Sequence, residues 1–373
     1  MIWDLINVSI INDLNTKMNT DPKTILIRVP NWLGDNVFTL PAVHLLRETF
    51  PEAHLAVLAP GGLGSLWEII PEIDEVITYD LKGGWRDLKS KWDLMRILRK
   101  RHFDLGVVFP RSFESALWLR LAGIPERWGY AEEGRSLLLT RAVSSPRRYR
   151  NTPRIDYYYH LIDNASSDEA APPAILKLSP ELIGRAKELL LRVIEDDRDR
   201  LIIGFHPRSS YGPAKCWPGQ SFSRLAELLV KKRGATVLLF GSEKERGLLE
   251  KIAADAGDGV VNLAGRTDLK ESAGLMSLCR VFVANDSGPL HLAAALEVPV
   301  IGLYGSTDPE ATGPRGKRVS VIYKNVECSP CLLRECPTDF KCMEEITPEE
   351  VMTEIENIAP LALSLKNKDV EEK

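Results

Sequence analysis

Short, continuously apolar runs separated by longer helix-like stretches recur along this chain, and they do so in two series. In the first series, Ile25–Pro30, His54–Ala59, Glu75–Tyr79 and Asp104–Phe109 read as strands. Helices are expected near Asn36–Thr49, Arg86–Arg101 and Ser112–Ala122. The second series has strands over Leu201–Phe205, Thr236–Phe240, Val260–Leu263, Arg280–Ala284 and Val298–Tyr304. Its helices fall near Ser221–Lys232, Glu243–Ala256, Asp268–Leu278, Pro289–Leu296 and Thr347–Ala359. Runs such as Ile25-Leu26-Ile27 and Gly106-Val107-Val108-Phe109 do not alternate with polar residues, as expected of strands covered on both faces of a parallel sheet. Strands alternating with helices imply right-handed crossovers and an α/β fold. Two series imply two Rossmann-like parallel-sheet domains facing a cleft. The polar, proline-bearing stretch Asp163–Pro180 is the natural linker, which sets the domains at residues 1–178 and 179–373.

Composition narrows the class. The chain has 373 residues, enough for two domains. With 48 Lys and Arg against 52 Asp and Glu, its net charge of −4 argues against a generally basic nucleic-acid binder. No apolar run reaches the ~18 residues that would span a bilayer, and Asp4, Asn7 and Asp13 interrupt the first twenty. Six cysteines are too few for a disulfide scaffold at this length. A cytoplasmic protein is expected.

In doubly wound sheets, ligands bind beyond the carboxyl ends of strands, at the turns into helices. Pro30-Asn31-Trp32-Leu33-Gly34-Asp35 is one such turn; Asp35 is either a helix cap or a carboxylate serving as general base. Asn285-Asp286-Ser287-Gly288, followed by Pro289 and His291, is another. There the N–H groups of Ser287 and Gly288 open a helix towards an anion. A third, His206 to Pro218, offers the Ser209 and Ser210 hydroxyls and the Lys215 ammonium to a phosphate. Neither the P-loop nor the dinucleotide-binding glycine fingerprint is present.

Leu33-Gly34-Asp35 with Leu40-Pro41-Ala42, then Gly212-Pro213-Ala214-Lys215-x-Trp217-Pro218, Asn262-Leu263-Ala264-Gly265 and Asn285-Asp286-Ser287-Gly288-x-x-His291 occur in this order. The ordered set resembles the ADP-heptose:lipopolysaccharide heptosyltransferases, family 9 glycosyltransferases of the GT-B fold. With Cys328-Ser329-Pro330-Cys331 it looks most like the heptosyltransferase II branch. The resemblance spans about residues 24 to 360. It implies inverting transfer of heptose from ADP-heptose to a heptose of the lipopolysaccharide inner core, with no cofactor and no essential metal. Asp35 would be the base and Lys215 would contact donor phosphates and sugar. Asp286 would meet the donor heptose, Ser287 and Gly288 would hold the diphosphate, and His291 completes that motif. Glu243, after Phe240-Gly241-Ser242, is a looser match to the acid presented to the ribose. Cleft closure would complete the site.

Charge is uneven along the chain. Residues 82–154 hold 17 Lys and Arg against 7 acids, and residues 135–154 hold six arginines and no acid. Such a segment suits a phosphorylated acceptor at an anionic membrane surface, and Arg111, beyond Asp104–Phe109, is the acceptor contact it suggests. Cys328, Cys331, Cys336 and Cys342 read as a candidate structural zinc site, with disulfides or packed thiols as rival readings. Cys216 and Cys279 read as packed residues. Rival functions are a family 9 transferase with another donor or acceptor, a GT-B epimerase, and a non-catalytic nucleotide- or polyanion-binding module.

Overall fold

Strands β1 (Thr24–Arg28), β2 (His54–Pro60), β3 (Glu75–Tyr79), β4 (Leu105–Val108), β5 (Glu126–Tyr130) and β6 (Arg141–Val143) form one sheet in the order β3-β2-β1-β4-β5-β6. Every neighbouring pair is parallel. A second sheet contains β7 (Ile202–His206), β8 (Thr236–Leu239), β9 (Val260–Asn262), β10 (Val281–Asn285), β11 (Val300–Tyr304) and β12 (Val319–Tyr323). It is parallel throughout, in the order β12-β11-β10-β7-β8-β9. The computed structural model describes residues 21–81, 87–145, 152–163, 170–194 and 201–360. Arg86 and parts of the basic segment and linker lie outside them.

The Rossmann-like class expected from the alternation is observed in both units. Each strand order reverses once, between β1 and β4 and between β7 and β10. The turns after these four strands therefore diverge and leave room for a ligand. The helices that cover the first sheet include α1 (Leu33–Thr49), α2 (Leu88–Lys100), α3 (Phe113–Leu121) and α4 (Arg154–Asp163). The second unit has α5 (Pro180–Val193), α6 (Gly219–Arg233), α7 (Arg246–Ala256), α8 (Leu269–Ser277), α9 (Gly288–Ala295) and α10 (Pro348–Ile358). Helix starts follow side-chain chemistry. Ser112, Ser179, Asp268 and Thr347 each accept a hydrogen bond from an N–H of the first turn.

Three strands, β5, β6 and β12, and two helices, α4 and α5, were not expected from the sequence. β6 and β12 are edge strands, with patterns too short and half-buried to stand out. The two compact units meet in sequence between Ala174 and Ile175, four residues before the expected boundary. Leu176 N–H donates to the Ala295 carbonyl at 2.8 Å, so the last residues before α5 already pack with the second unit.

Candidate functional site

Every residue singled out except Glu243 and the cysteines lies at a strand-order reversal. In the first unit, Asp35 follows β1 and Arg111 follows β4. In the second, Ser209, Ser210 and Lys215 follow β7, and Asp286, Ser287, Gly288 and His291 follow β10.

Asp35 is not the helix cap. α1 begins two residues earlier, with Trp32 as its N-cap, and Asp35 sits half-buried in the first turn. The Tyr158 hydroxyl, from α4, donates to Asp35 Oδ1 at 3.0 Å. Tyr158 is held edge-on against Phe109, with ring centres 5.7 Å apart. Asn36, fully buried next door, donates to the Pro30 and Trp32 carbonyls at 2.9 and 2.7 Å and fixes the turn. Arg111 is exposed and reaches Glu132 at 3.4 Å. Its loop is shaped by Arg135, which is fully buried and donates to the carbonyls of Pro110 and Tyr130. One arginine of the basic segment is therefore internal framework, and Arg147, Arg148 and Arg150 lie outside the described residues.

The second unit gathers its group around Asp286. Lys215 Nζ approaches Asp286 Oδ2 at 2.5 Å, and Thr307 and Thr312 donate to the same oxygen at 2.7 and 3.2 Å. Oδ1 lies 3.3 Å from the Tyr304 hydroxyl and 3.6 Å from His291 Nε2. Burial pushes this carboxyl up. The His291 hydrogen bond and the Lys215 charge outweigh that and hold it well below the usual carboxylate range. Both its oxygens are engaged, so Asp286 orients Lys215 and His291 from within the protein.

The Lys215 loop is pinned to the Asp286 turn at several points. Asn285 Oδ1 accepts from Trp217 N–H at 2.8 Å, and Ser209 Oγ donates to the Asp286 carbonyl at 3.1 Å. Trp217 is buried against Phe222 and donates to the Ile346 carbonyl at 2.9 Å. Ser287 is the N-cap of α9, but its side chain turns away from that helix to meet His206 Nδ1 at 3.1 Å. Burial brings the His206 pKa down to about 4, so its ring is neutral at pH 7. What remains at the head of α9 are the N–H groups of Ser287 and Gly288 at the positive end of a helix dipole, beside an oriented ammonium. This arrangement suits a diphosphate.

A family model described as glycosyltransferase family 9 (heptosyltransferase) matches residues 91–341. The chain belongs to glycosyltransferase family 9. It is 30% identical over 349 residues to lipooligosaccharide heptosyltransferase 2 of Haemophilus ducreyi, covering 90% of this chain and 99% of that protein. It is also 30% identical over 341 residues to lipopolysaccharide heptosyltransferase 2 of Escherichia coli, covering 89% and 97%. Among solved structures, the Escherichia coli ADP-heptose lipopolysaccharide heptosyltransferase II superposes with a TM-score of 0.77 at 28% identity, over 90% of this chain and 98% of that one. A family 9 glycosyltransferase from Veillonella parvula, at 21% identity and TM-score 0.79, covers 92% of this chain and 98% of that one and shares the fold.

In this family 9 glycosyltransferase, Glu243 stands apart from the Asp286 group. It is exposed after β8, pairs with Arg246 at 2.6 Å, and lies against Gly265, where any Cβ would collide with its carboxylate. Ser210 is exposed and Ser209 buried, so the two adjacent hydroxyls do different work. Sequence reasoning missed Tyr158, Tyr304, Thr307 and Thr312 and gave His206 no role. Thr307 lies in the turn after β11, beside the reversal, and that placement was readable. Nothing in the run Tyr157-Tyr158-Tyr159 tells which ring faces Asp35.

Cys216 and Cys279 are buried, as expected of packed residues. Cys328 is exposed, Cys331 and Cys336 are half-buried and Cys342 is buried, all as free thiols. Burial, with the nearby Cys328, Cys336 and Cys331, pushes the Cys342 thiol up to about 11. Among the described residues, no three His, Cys, Asp or Glu side chains are arranged to hold a metal ion. The segment does brace the Lys215 loop. Arg334 carbonyl accepts from Ala214 N–H at 3.0 Å, and Leu332 carbonyl accepts from the Tyr211 hydroxyl at 2.7 Å.

Proposed function

We propose that this enzyme moves heptose from ADP-L-glycero-β-D-manno-heptose to a heptose of the lipopolysaccharide inner core, with inversion at the anomeric carbon. The acceptor hydroxyl oxygen bonds to that carbon as its bond to the diphosphate oxygen breaks, and the hydroxyl proton passes to Asp35. ADP departs with the bonding electron pair. A hydroxyl is a weak nucleophile, and a positioned base is worth typically 10²–10⁴-fold. Lys215 and the N–H groups at Ser287 and Gly288 stabilise the charge that grows on the leaving diphosphate. Asp286 holds Lys215 and His291 in place, Ser209 and Ser210 shape the phosphate side, and Glu243 meets the ribose hydroxyls. Arg111 contacts acidic groups of the acceptor. No cofactor beyond the ADP-sugar is required. The reaction takes place in the cytoplasm, at the anionic inner face of the inner membrane.

The observation that carries this reading is the oriented Lys215–Asp286 pair beside the N-terminus of α9. The relatives' names supply the sugar. Mass spectrometry of a monoheptosylated core acceptor incubated with ADP-heptose tests it. One added heptose is expected with the wild type, with at least a hundredfold slower gain in Asp35→Asn. No gain with either protein, despite measurable ADP binding, overturns the choice of donor or acceptor.

A further inference from the structure

The turn that leads from β1 to Asp35 is clamped at both ends by buried groups. At one end stands Arg28, the last residue of β1, which is 3% exposed. Its guanidinium rests 4.9 Å from the centre of the Tyr79 ring and 5.3 Å from that of Trp118. Among the described residues it forms no ion pair. It donates to the Val29 carbonyl, to the Tyr79 hydroxyl and, at 2.9 Å, to Asn31 Oδ1. The Tyr79 hydroxyl donates to the same Asn31 oxygen at 3.1 Å. At the other end, Asn36 holds the Pro30 and Trp32 carbonyls, and Trp67 Nε1 donates to Asn36 Oδ1 at 2.8 Å.

This framework decides what the turn shows to solvent. A guanidinium can only donate, so Asn31 must turn its oxygen inward and its amide nitrogen outward. Asn31 is exposed, and among the described residues nothing accepts from that nitrogen. Trp32, between the two clamps, is 57% exposed, and Asp35 lies in the first turn of the helix that Trp32 caps. An indole is thus held outward by fixed backbone, with a free amide donor before it and a carboxylate just after it. A pyranose ring fits such a surface. Its C–H groups form an apolar face that stacks on an aromatic ring, and its hydroxyls need donors and acceptors at the rim.

We propose that Asn31 and Trp32 form the acceptor-sugar subsite. The Trp32 indole carries the apolar face of the heptose being extended, and Asn31 Nδ2 donates to one of its hydroxyls, so that the reacting hydroxyl is presented to Asp35. The proposal rests on the heptosyl transfer above for the identity of the sugar. Calorimetry with a deacylated, monoheptosylated core oligosaccharide, alongside steady-state kinetics in which that acceptor is varied, tests it. Trp32→Ala should weaken acceptor binding and raise its KM about tenfold, and Trp32→Phe, which keeps a ring, should recover most of that loss. Asn31→Asp keeps both inward hydrogen bonds and gives Arg28 a carboxylate partner, but it removes the outward donor. Its melting temperature should not fall, while acceptor affinity drops about fivefold. ADP affinity should stay that of wild type in all three. Wild-type acceptor affinity and KM in Trp32→Ala and Asn31→Asp would overturn the subsite and leave the reaction standing. An equal loss of ADP affinity would also overturn it, since the effect would then be general. Oligosaccharide binding that depends on Trp32, with no heptose transfer by any protein, would sustain the subsite and reject the assigned reaction. Neither binding nor transfer by the wild type would reject both.

Discussion

Asp35 and Asp286 are both carboxylates in turns after central strands, and their surroundings assign them opposite work. Asp35 is half-buried and has a hydroxyl donor in Tyr158. That hydrogen bond fixes the direction in which the carboxylate points. Tyr158→Phe keeps the edge-on ring contact with Phe109 and removes only that hydrogen bond. The carboxylate then loses a contact that holds its orientation, and kcat/KM at pH 7 should fall by about 1 kcal/mol, roughly fivefold, with the melting temperature little changed. An unchanged kcat/KM would leave Tyr158 a packing residue. Asp286 is saturated by its neighbours, and Lys215 is nearly as buried. Asp286→Asn strands that ammonium, which typically costs about 3–5 kcal/mol. A lower melting temperature and weaker ADP binding by calorimetry should appear together.

The informative elements are loops held by loops. The β7–α6 loop brings Lys215 to Asp286 because Trp217 is buried behind it and the segment around Arg334 lies across it. Gly212 leaves no room for a side chain between the two backbones. A Cβ there would stand 2.4 Å from the Arg334 carbonyl oxygen. Gly212→Ala must push the two segments apart and break the Ala214–Arg334 bond. ADP affinity should fall about tenfold while the far-ultraviolet dichroism stays that of wild type. This contact also gives the cysteine-bearing segment a use that its thiol spacing did not suggest. The spacing spoke only of metal, disulfides or packed thiols, because a backbone brace leaves no side-chain signature.

At the scale of the whole molecule, one buried group links stability to mild acid. Burial lowers the His206 pKa from 6.5 in the unfolded chain to about 4 in the folded one, against the opposing influence of Glu245. Between those values the unfolded state binds the extra proton, so unfolding free energy rises with pH across this window. The stability is present above about 6.5 and is lost as pH falls towards 4. The depressed Asp286 carboxyl titrates below this window and adds nothing within it. Urea midpoints measured from pH 7 down to 4.5 should therefore fall, and His206→Gln, which keeps an amide for Ser287, should flatten the slope. A slope equal to wild type in that variant would place the lost protons elsewhere.

Much of this architecture follows from the chain taken locally. Continuous apolar runs such as β1, β7 and β10 can only be satisfied between two helical layers. The order of strand, turn and helix then places Asp35, Arg111, Lys215 and Asp286 at carboxyl ends. Caps such as Thr347 were legible because a cap is made within four residues. Tertiary structure decided what depends on partners distant in sequence. It chose Tyr158 over its two neighbours for Asp35, and it joined Thr307, Thr312 and Tyr304 to one carboxylate. It also turned Ser287 towards His206 and drew Arg135 out of a basic run into the core. The strands β5, β6 and β12 belong with these, whereas the edges β3 and β9 were legible from their own runs. Periodicity reports which face is covered; only the folded chain determines which side chain does the covering.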